Sequence, residues 1–243
     1  MNPRIPFRID VSLDGFEDTH NFIRQNKFLF KKAIETINQL KILRKKYSHF
    51  DLSIITTLSK FNQNEIVKFA DFIEELLPDG EWMVNIARPK TRDPEAVNFD
   101  IESYEKINII LLNRIKNKNF AGDNAHRFGK WLTAKNAYRR DIITDILKNK
   151  NVKMNCSAGS LIGVIYQDGE VRPCETLPDS FGNLRDFDYS LSKIWNSPSA
   201  KNFRRKIRED NCVCTHECFL STSILSNYSS IIGLIKKRHS LEM

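Results

Sequence analysis

Cysteine is absent from the first 155 residues, and all five cysteines lie between Cys156 and Cys218. The N-terminal run MNPRIPFRID contains no apolar stretch of the kind found in secretory signal peptides. Without a secretory signal, and with an odd number of thiols, a disulfide framework is a poor fit. The cysteine distribution therefore favours metal binding over cross-linking.

Glycine, proline and long hydrophobic runs are also scarce. Nine glycines and eight prolines make up about 7% of the 243 residues, against roughly 12% in average proteins. This composition excludes collagen-like and linker-rich chains and disfavours turn-dense β-proteins. The longest apolar runs, such as Ile109–Leu112 and Ile231–Ile235, are far below the ~18–20 residues that a membrane helix needs. We therefore expect no membrane partner.

The formal net charge of +8 is spread along the chain rather than concentrated in a tail. Such a distribution is typical of a solvated basic surface, so we consider nucleic acid an improbable partner. Hydrophobic residues make up 41% of the chain, which is enough for a packed core.

The N-terminal third alternates between strand and helix patterns. Phe7, Ile9, Val11 and Leu13 alternate with polar residues up to the turn Asp14-Gly15, which predicts a strand. Further patterns predict a helix at 26–46, a strand at 51–58, a helix at 66–77 capped by Asn62 with Glu65, and a strand at 81–87. This order predicts parallel strands with crossover helices, an α/β fold.

The remainder of the chain is predicted to be helical at 98–149 and then to change character. Residues 161–171 predict a hairpin with its turn at Asp168-Gly169. Helices are predicted at 191–208 and 223–238.

The five cysteines fall into two groups. Seventeen residues separate Cys156 from Cys174, and the C-terminal group reads Cys212-Val213-Cys214-Thr215-His216-Glu217-Cys218. Four thiolates suit either a 4Fe–4S cluster or a zinc ion, and His216 permits a three-cysteine, one-histidine zinc site. Cysteines that merely fill the core are the remaining alternative, although three of them within seven residues are seldom needed for packing. The spacing does not choose between the metals.

Several motifs around these cysteines resemble a known family. In order, they are Cys156, Gly169-x4-Cys174, Gly182-Asn183-Leu184, Ile194-Trp195-x-Ser197 and the terminal cysteine group. This series resembles the SPASM or twitch extension of radical S-adenosylmethionine (SAM) enzymes. The resemblance implies the C-terminal part of a partial (β/α) barrel followed by a small α+β iron–sulfur domain.

The resemblance also implies a ligand set. Cys156, Cys174 and Cys218 match the family pattern best, and the fourth ligand is either Cys214 or Cys212. A full SPASM pattern has seven cysteines, so five imply one auxiliary 4Fe–4S cluster.

The N-terminal residues resemble the fourth strand of the radical SAM barrel and the loop after it. The matching residues are Val11-Ser12-Leu13-Asp14-Gly15, His20 and Ile23-Arg24. The resemblance implies cofactor contacts from Ser12, Asp14 and Arg24, and it makes the strands at 51–58 and 81–87 strands five and six. The implied division of the chain is a partial barrel at 1–97, a helical connection at 98–151, a SPASM or twitch domain at 152–222 and a C-terminal helix at 223–243.

The defining Cys-x3-Cys-x2-Cys loop of the family is missing, since no cysteine precedes Cys156. We therefore expect an N-terminally incomplete protein that binds the auxiliary cluster. SAM and a second 4Fe–4S cluster are expected only in a complete chain. That chain would modify a peptide, protein or small molecule by radical chemistry, with an electron donor such as ferredoxin or flavodoxin. The alternative is a zinc- or cluster-stabilised binding module without catalysis. A reducing, cytoplasmic location suits a cluster protein.

Overall fold

A computed structural model of the chain describes residues 5–117, 129–150, 152, 154–210 and 212–242. The chain divides into two compact units, Met1–Thr133 with Leu241–Met243, and Ala134–Ser240. The four-part division predicted from the sequence stays a prediction, and parts of its helical connection, 118–128 and 151, lie outside the described residues.

The first unit alternates strands and helices as predicted. Its elements are β1 (Phe7–Ser12), α1 (Glu17–Ile23), α2 (Leu29–Lys46), β2 (Phe50–Leu58), α3 (Ile66–Leu76), β3 (Glu81–Ile86) and α4 (Ile101–Asn117). The short helix α1 was not predicted, and α2 begins three residues later than the expected start at 26. A further helix, α5 (Gly129–Leu147), continues from this unit into the second.

The three strands form one parallel sheet in the order β1-β2-β3. Phe7 pairs with Phe50 at one end of the β1–β2 ladder, and Ser53 pairs with Glu81 at the start of the β2–β3 ladder. Parallel strands joined by crossover helices confirm the α/β class predicted for this part of the chain.

The two faces of the sheet differ in polarity because neighbouring residues of a strand point to opposite sides. One face carries polar side chains, among which Arg8 Nη1 donates to Glu81 Oε2 at 2.7 Å across the width of the sheet. The opposite face is apolar, and its buried side chains pack with those of α2 and α3. These include Leu52, Ile54, Leu58, Trp82, Val84, Ile37, Phe69 and Ile73. Burial of this apolar surface is the main source of stability for the unit.

The loops after β1 and β2 are joined by buried polar contacts. Asn62 Nδ2 donates to the carbonyls of Asp14 and Thr57 at 2.7 and 2.9 Å, and Glu65 Oε1 accepts from the backbone N–H of Phe16 at 2.9 Å. The predicted helix cap by Asn62 is therefore wrong: Glu65 itself occupies the cap position of α3, without a side-chain cap hydrogen bond. Both side chains satisfy loop backbone groups that the sequence pattern did not reveal.

The second unit contains a small antiparallel sheet and several helices. After α5, its elements are β4 (Val164–Ile165), β5 (Glu170–Arg172), β6 (Gly182–Asn183), α6 (Leu191–Trp195), α7 (Pro198–Glu209), α8 (Glu217–Ser226) and α9 (Tyr228–Glu242). The predicted hairpin is confirmed by the antiparallel pairing of β4 with β5.

The two C-terminal helices expected from periodicity are each interrupted. The helix predicted at 191–208 breaks before Pro198, because Ser197 caps the new helix through a hydrogen bond from the Ala200 N–H. The helix predicted at 223–238 starts earlier, at Glu217, and breaks at Asn227.

A hydrophobic cluster packs several elements of the second unit together. Its fully buried members are Ala158, Val171, Cys174, Phe181, Ile194, Ala200, Phe203, Ile207 and Phe219, and Cys156 and Cys212 are among the partly buried side chains that pack against it. The cluster thus joins the hairpin, α7 and the start of α8, and it brings three of the five cysteines to one core.

Within the described residues, no single helix is long and apolar enough to cross a membrane. The pair Glu217–Ser226 and Tyr228–Leu241 meets that test only when taken together, and the two helices meet at 101°.

Candidate metal centre

The hairpin β4–β5 places Cys174 just beyond its second strand. Its turn is closed by Gly169, whose φ of +86° lies in the left-handed region that glycine adopts readily. The Gly169 N–H donates to the Tyr166 carbonyl at 2.9 Å, and the Tyr166 N–H donates to the Glu170 carbonyl at 2.8 Å. The four residues between Gly169 and Cys174 in the family-like motif are therefore the three residues of β5 and the residue that follows it.

The Cys174 sulfur is surrounded by hydrogen-bond donors from the loop that follows it. The backbone N–H groups of Thr176 and Leu177 donate to Sγ at 3.2 and 3.3 Å, and Thr176 Oγ1 lies 3.1 Å from it. Hydrogen bonds to the sulfur are characteristic of cysteines that bind iron–sulfur clusters, because such bonds tune the reduction potential of the cluster. The local backbone thus suits Cys174 as a thiolate ligand.

Cys156 and Cys212 are in direct contact although 55 residues separate them along the chain. A hydrogen bond from Cys212 lowers the pKa of Cys156 to about 6, against the effect of burial, and the Ala158 N–H assists at 3.5 Å. The same contact raises the pKa of Cys212, as do burial and the charges of Cys156, Cys214 and Cys174. Three thiols from three separate segments, those of Cys156, Cys174 and Cys214, therefore lie within electrostatic range of Cys212.

Cys218 differs from the other four cysteines. It is exposed in the first turn of α8, whereas Cys174 is buried and Cys156, Cys212 and Cys214 are partly buried. The family resemblance implies that Cys218 is one of the surest ligands, and that assignment stays a prediction.

His216 lies between Cys214 and Cys218, and its partner is a carboxylate beside Cys174. His216 Nε2 is 2.8 Å from Glu175 Oε2. The histidine side chain is 5% exposed and the glutamate 47% exposed. Sequence reasoning had named His216 as a possible zinc ligand but had missed Glu175, for which the only signal was its place next to Cys174.

A cluster and a single metal ion place different demands on the four thiols. No three His, Cys, Asp or Glu side chains within the described ranges converge on a point that could hold one metal ion. A zinc site needs four donors at about 2.0–2.3 Å from the same atom. Each thiolate of a 4Fe–4S cluster binds a different iron, so its four sulfurs need not meet at a point.

The three residues implied as cofactor contacts lie at the carboxyl end of β1, where ligands bind in parallel α/β sheets. Ser12 is exposed, whereas Asp14 is 1% exposed and already holds Arg24 and the backbone N–H of Thr57. His20, also buried, accepts from the Asp14 N–H at Nδ1 over 3.0 Å. The structure thus gives Asp14 a stabilising role within the loop, and the cofactor contacts stay predictions.

Comparison with known proteins supports these sequence motifs. A family model described as SPASM, an iron–sulfur cluster-binding domain, matches residues 156–219. The sporulation killing factor maturation protein SkfB of Bacillus subtilis (strain 168) is 23% identical over 218 residues, which cover 88% of this chain and 46% of SkfB. The chain therefore spans about half the length of the curated relative that it matches.

Two solved structures share the fold. Histidine-tagged anSMEcpe with bound AdoMet matches with a TM-score of 0.50 and 14% identity over 97% of this chain and 66% of that one. Native anSMEcpe with bound AdoMet and Kp18Cys peptide matches with the same TM-score and identity over 97% of this chain and 70% of that one. Together the comparisons confirm the predicted resemblance to radical SAM proteins with a SPASM domain.

Proposed function

We propose that the second unit holds one auxiliary 4Fe–4S cluster on Cys156, Cys174, Cys212 and Cys214. The observation that carries this proposal is the gathering of these four thiols from the start of the unit, the hairpin and the C-terminal loop. When bound, such a cluster supplies a site that accepts or donates one electron or binds a substrate group. The chain's own residues bring the thiols together and direct backbone N–H groups at the sulfurs of Cys156 and Cys174.

The alternative, a zinc-stabilised binding module without catalysis, has less support. The matching family model is described as iron–sulfur cluster-binding, and its match at 156–219 includes all five cysteines. Five cysteines leave one thiol outside a four-ligand set, and exposure favours Cys218 as that residue.

The activity that we propose for the complete protein is radical modification of a peptide. In support, SkfB is by name a maturation protein for a sporulation killing factor, and one matching structure holds both AdoMet and a peptide. This chain has no cysteine before Cys156, so it cannot itself supply the three thiolates of a SAM-cleaving cluster. We propose that these thiolates come from a longer form of the chain or from a partner protein. The coding sequence before Met1 and the neighbouring genes test this, since one of them should encode Cys-x3-Cys-x2-Cys.

Metal analysis after anaerobic preparation tests the cluster proposal. The wild-type chain should contain close to four iron and four sulfide per protein after reconstitution, with little zinc. Cys174→Ala should lose most of the iron, because a ligand is removed and the two backbone N–H groups directed at its sulfur lose their acceptor. Stoichiometric zinc without sulfide in the wild type, or unchanged iron in the variant, would contradict the proposal.

A further inference from the structure

The hydrogen bond between Glu175 and His216 connects the two segments that carry the cysteines. Glu175 follows Cys174 directly, and His216 lies two residues after Cys214. The Nε2–Oε2 distance is 2.8 Å across 41 residues of sequence. It is thus a direct polar link between the hairpin end and the C-terminal cysteine loop.

The two ring nitrogens of His216 have different surroundings. Nε2 faces a carboxylate that is about half exposed, whereas Nδ1 is enclosed and has no hydrogen-bond partner among the described residues. A buried polar atom without a partner costs roughly 1–3 kcal/mol. The hydrogen bonds of His216 therefore do not explain why its ring is buried. A buried polar atom without a partner calls for another explanation, which here is a role at the neighbouring cysteine site.

The histidine ring also packs on the core that holds the cysteines. Its centroid lies 4.7 Å from that of Phe219, with the rings at 75° to each other. Phe219 and Cys174 belong to the same hydrophobic cluster. The ring is thus fixed on one side by this edge contact and on the other by Glu175.

We propose that Glu175 and His216 form a positioning pair for the cysteine site, whose hydrogen bond holds the Cys174 segment against the Cys212–Cys218 segment. This inference rests on the proposed function, because it assigns the pair to the cluster site. Ligands from distant parts of a chain must be brought together at an entropic cost, and a preformed link reduces that cost. Removing a residue that orients a metal ligand without binding the metal itself typically lowers the metal affinity by about 10–100-fold.

Two substitutions of His216 separate positioning from direct ligation. In His216→Gln the amide nitrogen occupies roughly the place of Nε2 and can still donate to Glu175, while nothing replaces Nδ1. In His216→Asn the polar group lies near the place of Nδ1 and does not reach Glu175. Positioning predicts that His216→Gln retains the cluster and that His216→Asn loses affinity by about 10-fold or more.

Substitution of Glu175 tests the other half of the pair. Glu175→Ala should weaken iron binding as much as His216→Asn does. The double variant should be no worse than either single variant, because both remove the same interaction. Matched controls in the same unit are Glu209→Ala and His239→Asn, which change exposed residues and should bind iron as the wild type does.

The measurements are iron and sulfide per chain at limiting iron, and the electron paramagnetic resonance spectrum of the reduced cluster. Far-ultraviolet circular dichroism of each variant checks folding, and Glu175→Ala, at a half-exposed site, decides the question if His216→Asn misfolds. If His216→Gln loses iron and its remaining reduced cluster shows altered g-values, His216 is a ligand and the positioning role is overturned. Equal iron in all variants, or loss in His216→Asn with none in Glu175→Ala, would overturn it as well. A wild-type chain without iron and sulfide would instead refute the cluster proposal itself.

Discussion

Arg24 contacts one buried oxygen of Asp14 through a hydrogen bond from Nε and an ion-pair contact from Nη2. Its Nε lies 2.7 Å and its Nη2 2.6 Å from Asp14 Oδ2, while Oδ1 accepts from the Thr57 N–H at 2.9 Å. Asp14 is 1% exposed, so its charge depends on these partners. The residue pair that the family resemblance assigned to a cofactor thus also holds the loop after β1 to the end of β2.

We expect Asp14→Ala to destabilise the first unit strongly. Removing one partner of a buried ion pair costs roughly 3–5 kcal/mol, and the partial exposure of Arg24 places the expected loss near the lower value. Urea unfolding, combined with hydrogen exchange of peptides from residues 7–23, measures the loss and locates it. The exposed Asp18→Ala is the control, and an equal effect of both substitutions would contradict a structural role for Asp14.

Buried His20 predicts a loss of stability in mild acid. Burial lowers the pKa of His20, the Asp14 charge opposes this and the Arg24 charge reinforces it. Below about pH 6.5 the unfolded chain therefore binds a proton that the folded chain does not, and the free energy of unfolding falls as the pH decreases towards the folded-state pKa. His20→Asn should reduce this pH dependence between pH 7.5 and 5.5 in hydrogen exchange of the first unit. His239→Asn, at an exposed site, should leave it unchanged, and an identical slope in wild type and His20→Asn would rule the explanation out.

Gly169→Ala should distort the hairpin that presents Cys174. The position has a φ of +86°, and an added Cβ would lie 2.5 Å from Arg185 Nη1 and 2.8 Å from Asn183 Oδ1. A left-handed conformation costs a non-glycine residue roughly 1–2 kcal/mol, before any clash. We expect a lower thermal midpoint and reduced iron content. Gln167→Ala, an exposed substitution in the same turn, is the control, and wild-type iron in Gly169→Ala would show that the turn does not position the ligand.

Single alanine variants should distinguish the three C-terminal cysteines. Cys212 lies within electrostatic range of Cys156, Cys174 and Cys214, whereas Cys218 is exposed. Cys212→Ala and Cys214→Ala should each lose iron after anaerobic reconstitution, and Cys218→Ala should retain it. If Cys218→Ala loses iron instead while one of the other two retains it, the ligand set implied by the family resemblance is the correct one.

Most of the fold could be predicted because its elements have strong local patterns. The parallel strands around Phe7, Leu52 and Val84 follow from hydrophobic periodicity and the alternation of strands with helices. The predictions that the structure corrects concern the roles of polar residues and the positions at which helices are interrupted. Asn62 reads as a helix cap but satisfies the backbone of two loops, and Ser197 with Pro198 divides a region whose apolar spacing is continuous.

The sequence predicted which types of residue form the candidate site, but not which of those residues contact one another. The cysteine spacing and the motif around Gly169 pointed to a SPASM-like site, which the family match at 156–219 supports. Neither the contact of Cys156 with Cys212 nor that of Glu175 with His216 could be read from the sequence, because both join residues more than 40 positions apart.

The sequence by itself determined the order of strands and helices, the hairpin turn and the presence of a thiol-rich site, because these depend on local periodicity and residue chemistry. Only the tertiary structure decided which thiols meet, that Cys218 stays exposed, and that Asp14 is enclosed by Arg24 and Thr57. Such outcomes depend on how separate segments pack around a shared core, where burial and hydrogen-bond satisfaction over the whole unit outweigh the preference of any single residue.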